Sequence, residues 1–209
     1  MGTSILRTSQ RFRAAGSPIY LVTPPPTVLD WFDPLLLAAH RTGMSWRARR
    51  AATRLRHHPD TPSQDLAAAF HDTLVPPGSE EAAWIDRIER LRRTLLRDET
   101  PLTFLDHGVP HRLRTSPEAA PSVTRAVQGV CRASAPPHEA RLLFHLVRRF
   151  RPAACLELGT CLGLSAAYLA AAQALNGTGR LITLEGGEAV AACARQHLGA
   201  LGLRQVAVT

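Results

Sequence analysis

An α/β fold, with a parallel β-α-β-α-β sheet following a mostly helical region, is predicted by three observations on the 209-residue sequence. Two compact apolar runs, residues 153–158 and 180–184, each end in a glycine-containing polar turn. Stretches of helical period, residues 164–175 and 188–201, follow these turns. A third apolar run begins at residues 205–208. Parallel neighbours need a crossover between them, and a helix between successive strands supplies it.

The elements justify themselves in chain order. Residues 1–27 read as a basic arm that includes Arg7, Arg11 and Arg13 and contains no acid. That composition also resembles an organelle transit peptide. The Pro24-Pro25-Pro26 run separates the arm from the helical region, because proline continues neither a helix nor a central strand. Residues 28–100 form that helical region. Leu35, Leu36 and Leu37, then Trp46, Ala51, Ala52 and Leu55, predict one or two helices broken at Gly43. Residues 63–72 predict a short helix. Ser79 is expected to cap a longer one reaching Leu96, with Glu80 and Glu81 at the positive end of its dipole. Ala83, Ile85, Ile88, Leu91, Leu95 and Leu96 form its apolar stripe.

Residues 101–209 form the partial sheet domain with its leading elements. Residues 102–105 predict a strand that ends in Asp106-His107-Gly108 and is expected to lie with the N-terminal layer; Pro110 and Pro117 then enforce a loop. Asp106, His107 and His111 are read as ordinary loop residues, with a lid or acid–base role as the sharper alternative. Residues 121–131 predict a helix. Pro137 opens another, with Leu142, Leu143, Leu146, Val147 and Phe150 as its buried stripe, and Pro152 ends it. Asn176-Gly177 and Gly202 are expected to stop the two helices of the sheet unit.

Composition excludes several chemistries. All 25 basic residues are arginine, so mechanisms that need a Schiff-base or phosphate-loop lysine are ruled out. The formal charge of +8 fits a nucleic-acid partner or, more blandly, a coding bias; the arginines of residues 47–56 are read as a solvated helix face, and no nucleic acid is expected as partner. Four cysteines without zinc spacing fit a reducing, cytoplasmic compartment and no metal site. Cys155 is expected to be buried and Cys161 inert. No apolar run reaches the roughly 18 residues that cross a bilayer, so no membrane association is expected.

In open parallel sheets the ligand lies beyond the carboxyl ends of the strands, which brings Gly159-Thr160-Cys161-Leu162-Gly163 and Glu185 to one crevice. Gly159 and Gly163 allow a ligand or an adjoining helix to come close, and Glu185 can accept two ribose hydroxyls. The pattern fits an adenosine-containing cofactor. Cys161 replaces the middle glycine of the dinucleotide fingerprint, which disfavours a nicotinamide cofactor.

Residues 155–165, Cys-Leu-Glu-Leu-Gly-Thr-Cys-Leu-Gly-Leu-Ser, together with Leu181-Ile-Thr-Leu-Glu185, resemble class I S-adenosylmethionine-dependent methyltransferases, in particular the O-methyltransferase-like branch. The likeness extends more weakly upstream to Asp106–Gly108 and to residues 142–150, covers about residues 84–209 in all, and leaves the role of residues 1–80 open. It implies a truncated Rossmann-like sheet, with three of about seven strands present. It also implies S-adenosyl-L-methionine as cofactor, with Glu157, Gly159, Thr160, Gly163 and Ser165 against its methionine part, Glu185 on its ribose and Gly186 near the adenosine. The substrate it implies is a small-molecule oxygen or nitrogen acceptor, and the catalytic groups fall outside these 209 residues. The chain is accordingly expected to be a fragment or a degenerate protein, incomplete or inactive alone. The first strand of the unit is expected to be a bare sheet edge, needing an upstream segment, a missing C-terminal segment or a second copy of the chain. The competing readings are a fragment of an NAD-type oxidoreductase and a basic, non-catalytic nucleic-acid-binding protein.

Overall fold

In the computed structural model the described residues are 59–106 and 120–209, with 13–14, 17–18, 53 and 55–57 besides. The expected helices of residues 34–58 fall almost wholly outside them, as do His107, His111, Pro110 and Pro117. In the basic arm, β1 (Arg13–Ala14) pairs antiparallel with β2 (Ser17–Pro18).

Two helices come first. α1 (Thr61–Leu74) starts where Asp60 accepts the Ser63 N–H at 3.0 Å, capping an orphan donor, with Pro62 in the first turn. α2 (Ser79–Leu95) carries Glu80 and Glu81 in its first turn and Arg92 and Arg93 in its last, matching its dipole at both ends. Its cap is Gly78; Ser79 is already helical and makes no capping bond, so the expected serine cap is corrected.

β3 (Pro101–Leu105) then pairs antiparallel with β4 (Ser122–Ala126). The helix expected over residues 121–131 is therefore wrong in its first half. Ser-Val-Thr-Arg-Ala pairs residue for residue with Pro-Leu-Thr-Phe-Leu, and Thr103 and Thr124 share a hydroxyl hydrogen bond of 2.8 Å across the hairpin. Only α3 (Val127–Cys131) is helical. The hairpin also lies elsewhere than expected. It packs on the last helix of the sheet unit instead of the N-terminal layer, with the Leu105 carbonyl and Phe104 Cβ each 3.4 Å from where a Cβ on Gly187 would sit.

α4 (Pro137–Phe150) begins with proline at its first position, as read from the sequence, and ends on Arg151 at φ 45°. Its buried positions are Ala140, Phe144, His145 and Val147, whereas Leu142, Leu143, Leu146 and Phe150 are half-buried. The expected stripe is thus rotated, because α4 is held by α1 on one side and by the central helix α5 (Leu164–Asn176) on another.

The sheet unit matches the expected pattern closely. β5 (Ala154–Leu158), β6 (Arg180–Leu184) and β7 (Val206–Val208) form a parallel sheet of order β5-β6-β7, with α5 and α6 (Glu188–Ala200) as crossovers. This is a Rossmann-like unit. Gly177 at φ 67° ends α5, and Gly202 at φ 79° lies just past α6. α5 is alanine-rich and buried almost all round, since small side chains let α2, α4 and α6 approach it. Tyr168 anchors it to α2 by donating to Glu89 at 2.9 Å, the same carboxylate that holds Arg92.

One core unites these parts: Ile88 and Leu95 of α2, Phe144 of α4, Leu164 and Tyr168 of α5, and Leu181 of β6 all belong to it. Gly179, at φ 98°, is the most constrained connection. A Cβ there would lie 2.8 Å from the Pro152 carbonyl and 2.9 Å from Gln173 Nε2, which itself holds the Arg180 carbonyl at 3.0 Å. Gly179→Ala is expected to cost about 2–4 kcal/mol, from left-handed backbone and overpacking together. A urea denaturation midpoint checks it.

Candidate nucleoside-binding site

The carboxyl ends of β5 and β6 lie side by side. The backbone N–H groups of Gly159 and Thr160 both donate to the Leu184 carbonyl, at 2.9 and 3.2 Å. From that shared point Glu185 reaches back: Oε2 accepts the Cys161 N–H at 2.8 Å and Oε1 accepts the Gly187 N–H at 3.0 Å. One carboxylate therefore ties the turn after β5 to the start of α6, where the positive end of the helix favours a negative group. An ionised carboxylate has about four acceptor positions, so two are left for a ligand.

The two glycines of the turn differ in what they permit. Gly159 has φ 89°, and nothing lies within 4 Å of the place a Cβ would occupy, so the backbone there faces open space. Gly163, at φ 84°, would put a Cβ 3.4 Å from Ala194, so its task is close packing of α5 on α6. Between them, Cys161 adopts φ 50°, a conformation that glycine reaches at lower cost. Its sulfur turns away from the crevice, to 3.5 Å from the Val130 carbonyl and 3.7 Å from the Ser134 hydroxyl. Burial pushes this thiol up, which suits the inert reading.

Beneath the turn runs a chain of polar side chains. Thr160 is fully buried, and its hydroxyl meets that of Thr183 at 2.6 Å; Thr183 in turn donates to Glu157 at 2.6 Å. Ser165 also hydrogen-bonds the Glu157 carboxyl. The register Glu157↔Thr183 puts both on the helix-covered face of the sheet. Of the residues named from the sequence, Gly159 and Glu185 thus meet at one sheet edge, and Gly186 is exposed beside them. Glu157 and Ser165 belong to the supporting chain, the Thr160 side chain points inward, and Gly163 serves packing. Thr183 and the Cys161 N–H were missed; a lone threonine in the apolar run Leu-Ile-Thr-Leu was the available signal. Cys155, expected to be buried, is only half-buried, because β5 is the edge strand of the sheet among the described residues. Asp106 pairs with Arg125 at 2.9 Å across the hairpin end.

Burial raises the pKa of Glu157 above its ordinary value of 4.5, against the lowering effect of the Thr183 and Ser165 hydrogen bonds. A carboxyl whose folded pKa is raised binds its proton more tightly in the native state, so its contribution to stability is present at low pH and is lost as pH rises through the folded pKa. Glu157→Gln keeps the shape and an acceptor for Thr183 but removes the charge. Its stability relative to the unsubstituted protein is expected to increase between about pH 4 and pH 7, a trend that parallel urea titrations read directly. A difference independent of pH would contradict it.

Among the described residues no helix is long and apolar enough to cross a membrane, and no three His, Cys, Asp or Glu side chains are grouped to hold a metal ion. No protein-family model matches the chain. Over 91 residues it is 32% identical to the dual-action ribosomal maturation protein DarP of Nitrosomonas europaea, a match covering 44% of this chain and 47% of that protein. The chain thus spans about half the length of this curated relative. Among solved structures, the O-methyltransferase from Bacillus cereus in complex with SAH aligns with 66% of this chain and 46% of its own, at 22% identity and a TM-score of 0.37.

Proposed function

We propose that this chain carries the S-adenosylmethionine-binding part of a class I methyltransferase that acts on an oxygen or nitrogen of a small-molecule acceptor. The observation that supports it most is the contact between Glu185 and the Cys161 N–H, which ties the strand tips of β5 and β6 together. The residues fit the cofactor on two physical counts. Glu185 retains acceptor positions for a pair of ribose hydroxyls, and the open side of Gly159 leaves room for a ligand against the backbone.

When bound, S-adenosylmethionine supplies an electrophilic methyl group. The tasks of this chain are to grip, orient and shield. Glu185 would hold the ribose and Gly186 would border the adenosine. The turn from Gly159 would flank the methionine part by its backbone. The Thr160–Thr183–Glu157–Ser165 chain fixes that turn from below, so that the binding groups are already in place before the ligand arrives. Such preorganisation is how an enzyme of this kind accelerates transfer between two bound reactants. No catalytic residue is assigned to these 209 residues.

Isothermal titration with S-adenosylhomocysteine and, separately, with NAD tests the reading. Heat with the first and none with the second is expected; preference for NAD, or binding of neither, would overturn it.

A second reading, a basic, non-catalytic nucleic-acid-binding protein, is favoured by the all-arginine charge of +8 together with the partial likeness to a ribosomal maturation protein. It predicts nucleic-acid binding that falls steeply with added salt. Absent or salt-insensitive binding removes it.

A further inference from the structure

α1 rests on α4 and on no other described element to a comparable extent. Three arginines of α4 hold it and the corner that follows it. Arg149 pairs with Asp72 of α1 at 2.6 Å, Arg141 donates to the Val75 carbonyl at 3.1 Å, and Arg148 pairs with Glu81 at the start of α2 at 3.2 Å. His145 lies four residues from Arg141 and Arg149 and three from Arg148, the spacings that make neighbours on a helix surface. It is 2% exposed, and its Nε2 is buried without a hydrogen-bond partner among the described residues. The Phe144 ring, edge-on at 5.2 Å, adds an apolar neighbour.

We propose that α1 is a pH-released arm: uptake of a proton by His145 in mild acid undocks α1 and its corner from α4 while the sheet unit stays folded. The charges around the imidazole decide the direction. α4 supplies the three arginines, α1 supplies Asp72 with the exposed His71 beside it at 3.6 Å, and α2 supplies Glu81. α5 brings no charged group, and the hydroxyl of its Tyr168 is turned to Glu89. Both carboxylates are already engaged by arginine. An imidazolium would therefore be buried with more positive than negative charge about it and with its Nε2 proton unpaired, a costly state that undocking relieves. Burial holds the ring below the ordinary histidine value of 6.5, ahead of the opposing attraction of Glu81 and Asp72. The undocked state thus binds the proton more readily, so docking is at full strength above pH 6.5 and weakens as pH falls below it. Undocking also takes Leu66 of α1 from the wall of the apolar cavity that it shares with Leu143, Leu146 and Phe150 of α4. One proton would open that cavity on its α1 side.

Hydrogen exchange of the full chain tests the proposal, recorded from about pH 7.5 to about pH 5 and corrected for the intrinsic pH dependence of amide exchange. Protection of α1 is expected to fall by up to about tenfold for each pH unit below 6.5, the limit set by a single proton, while α5 keeps its protection. His145→Gln and His145→Leu stay uncharged at every pH, and in whichever of them folds the fall is expected to vanish. His71→Gln, at the exposed neighbour, is expected to retain it. Should neither His145 variant fold, the imidazole resonances of His145 in the unsubstituted protein decide: the ring is expected to take up its proton only in step with the loss of α1 protection. Constant protection of α1 across this range would overturn the proposal. So would a fall that persists in a His145 variant, a fall shared equally by α5, or a His145 ring that titrates with α1 still docked.

Discussion

Phe144→Ala is expected to destabilise the fold by about 3–5 kcal/mol, a large share of the total stability of a domain. Phe144 is fully buried on α4, and its ring meets those of His145 and Tyr168 edge-on, at 5.2 and 6.4 Å between centroids. Tyr168 ties α5 to α2 through Glu89, so the cavity left by the missing ring would open where three helices meet. Phe144→Leu, which retains much of the volume, is expected to cost about half as much or less. Chemical denaturation of both variants gives the comparison. Equal and small losses would mean that α4 is not part of the same core as α5.

Glu185→Ala is expected to weaken S-adenosylhomocysteine binding by about 2–4 kcal/mol, or roughly 30- to 1000-fold, because hydrogen bonds to a charged acceptor are among the strong ones. The same substitution frees the Cys161 and Gly187 N–H groups, so a stability loss of about 1–2 kcal/mol is expected beside it. Glu188→Ala supplies the comparison. Glu188 sits three residues on, at the exposed start of α6, where it pairs with Arg195, and its loss is expected to alter binding by less than about twofold. Titration calorimetry of the two variants separates a carboxylate that holds the ligand from one that merely adds charge nearby.

The sheet unit was legible because its signals are local. Arg180–Leu184 is the strand that the apolar run predicts, Asn176-Gly177 closes α5 with the positive φ expected of glycine, and Pro137 opens α4. The meeting of Gly159 with Glu185 was also legible, since parallel topology brings successive strand tips to one edge. What failed depends on distant partners. β4 carries Ser, Val, Thr, Arg and Ala, a mixture without strong local preference, and only pairing with Pro101–Leu105 makes it a strand. The rotated stripe of α4 comes from α1 packing on its flank, which periodicity along α4 cannot reveal. Thr160, Thr183, Glu157 and Ser165 form a chain only through the register of β5 with β6, so the sequence showed their types but not that they touch.

That two strand tips act as one nucleoside grip is tested most directly by amide chemical shifts recorded while S-adenosylhomocysteine is added. The amides of Gly159, Thr160 and Cys161 are expected to move together with those of Glu185, Gly186 and Gly187, along one saturation curve, while those of the β3–β4 hairpin strands move less. Saturable shifts confined to another surface, or movement of one tip without the other, would contradict it.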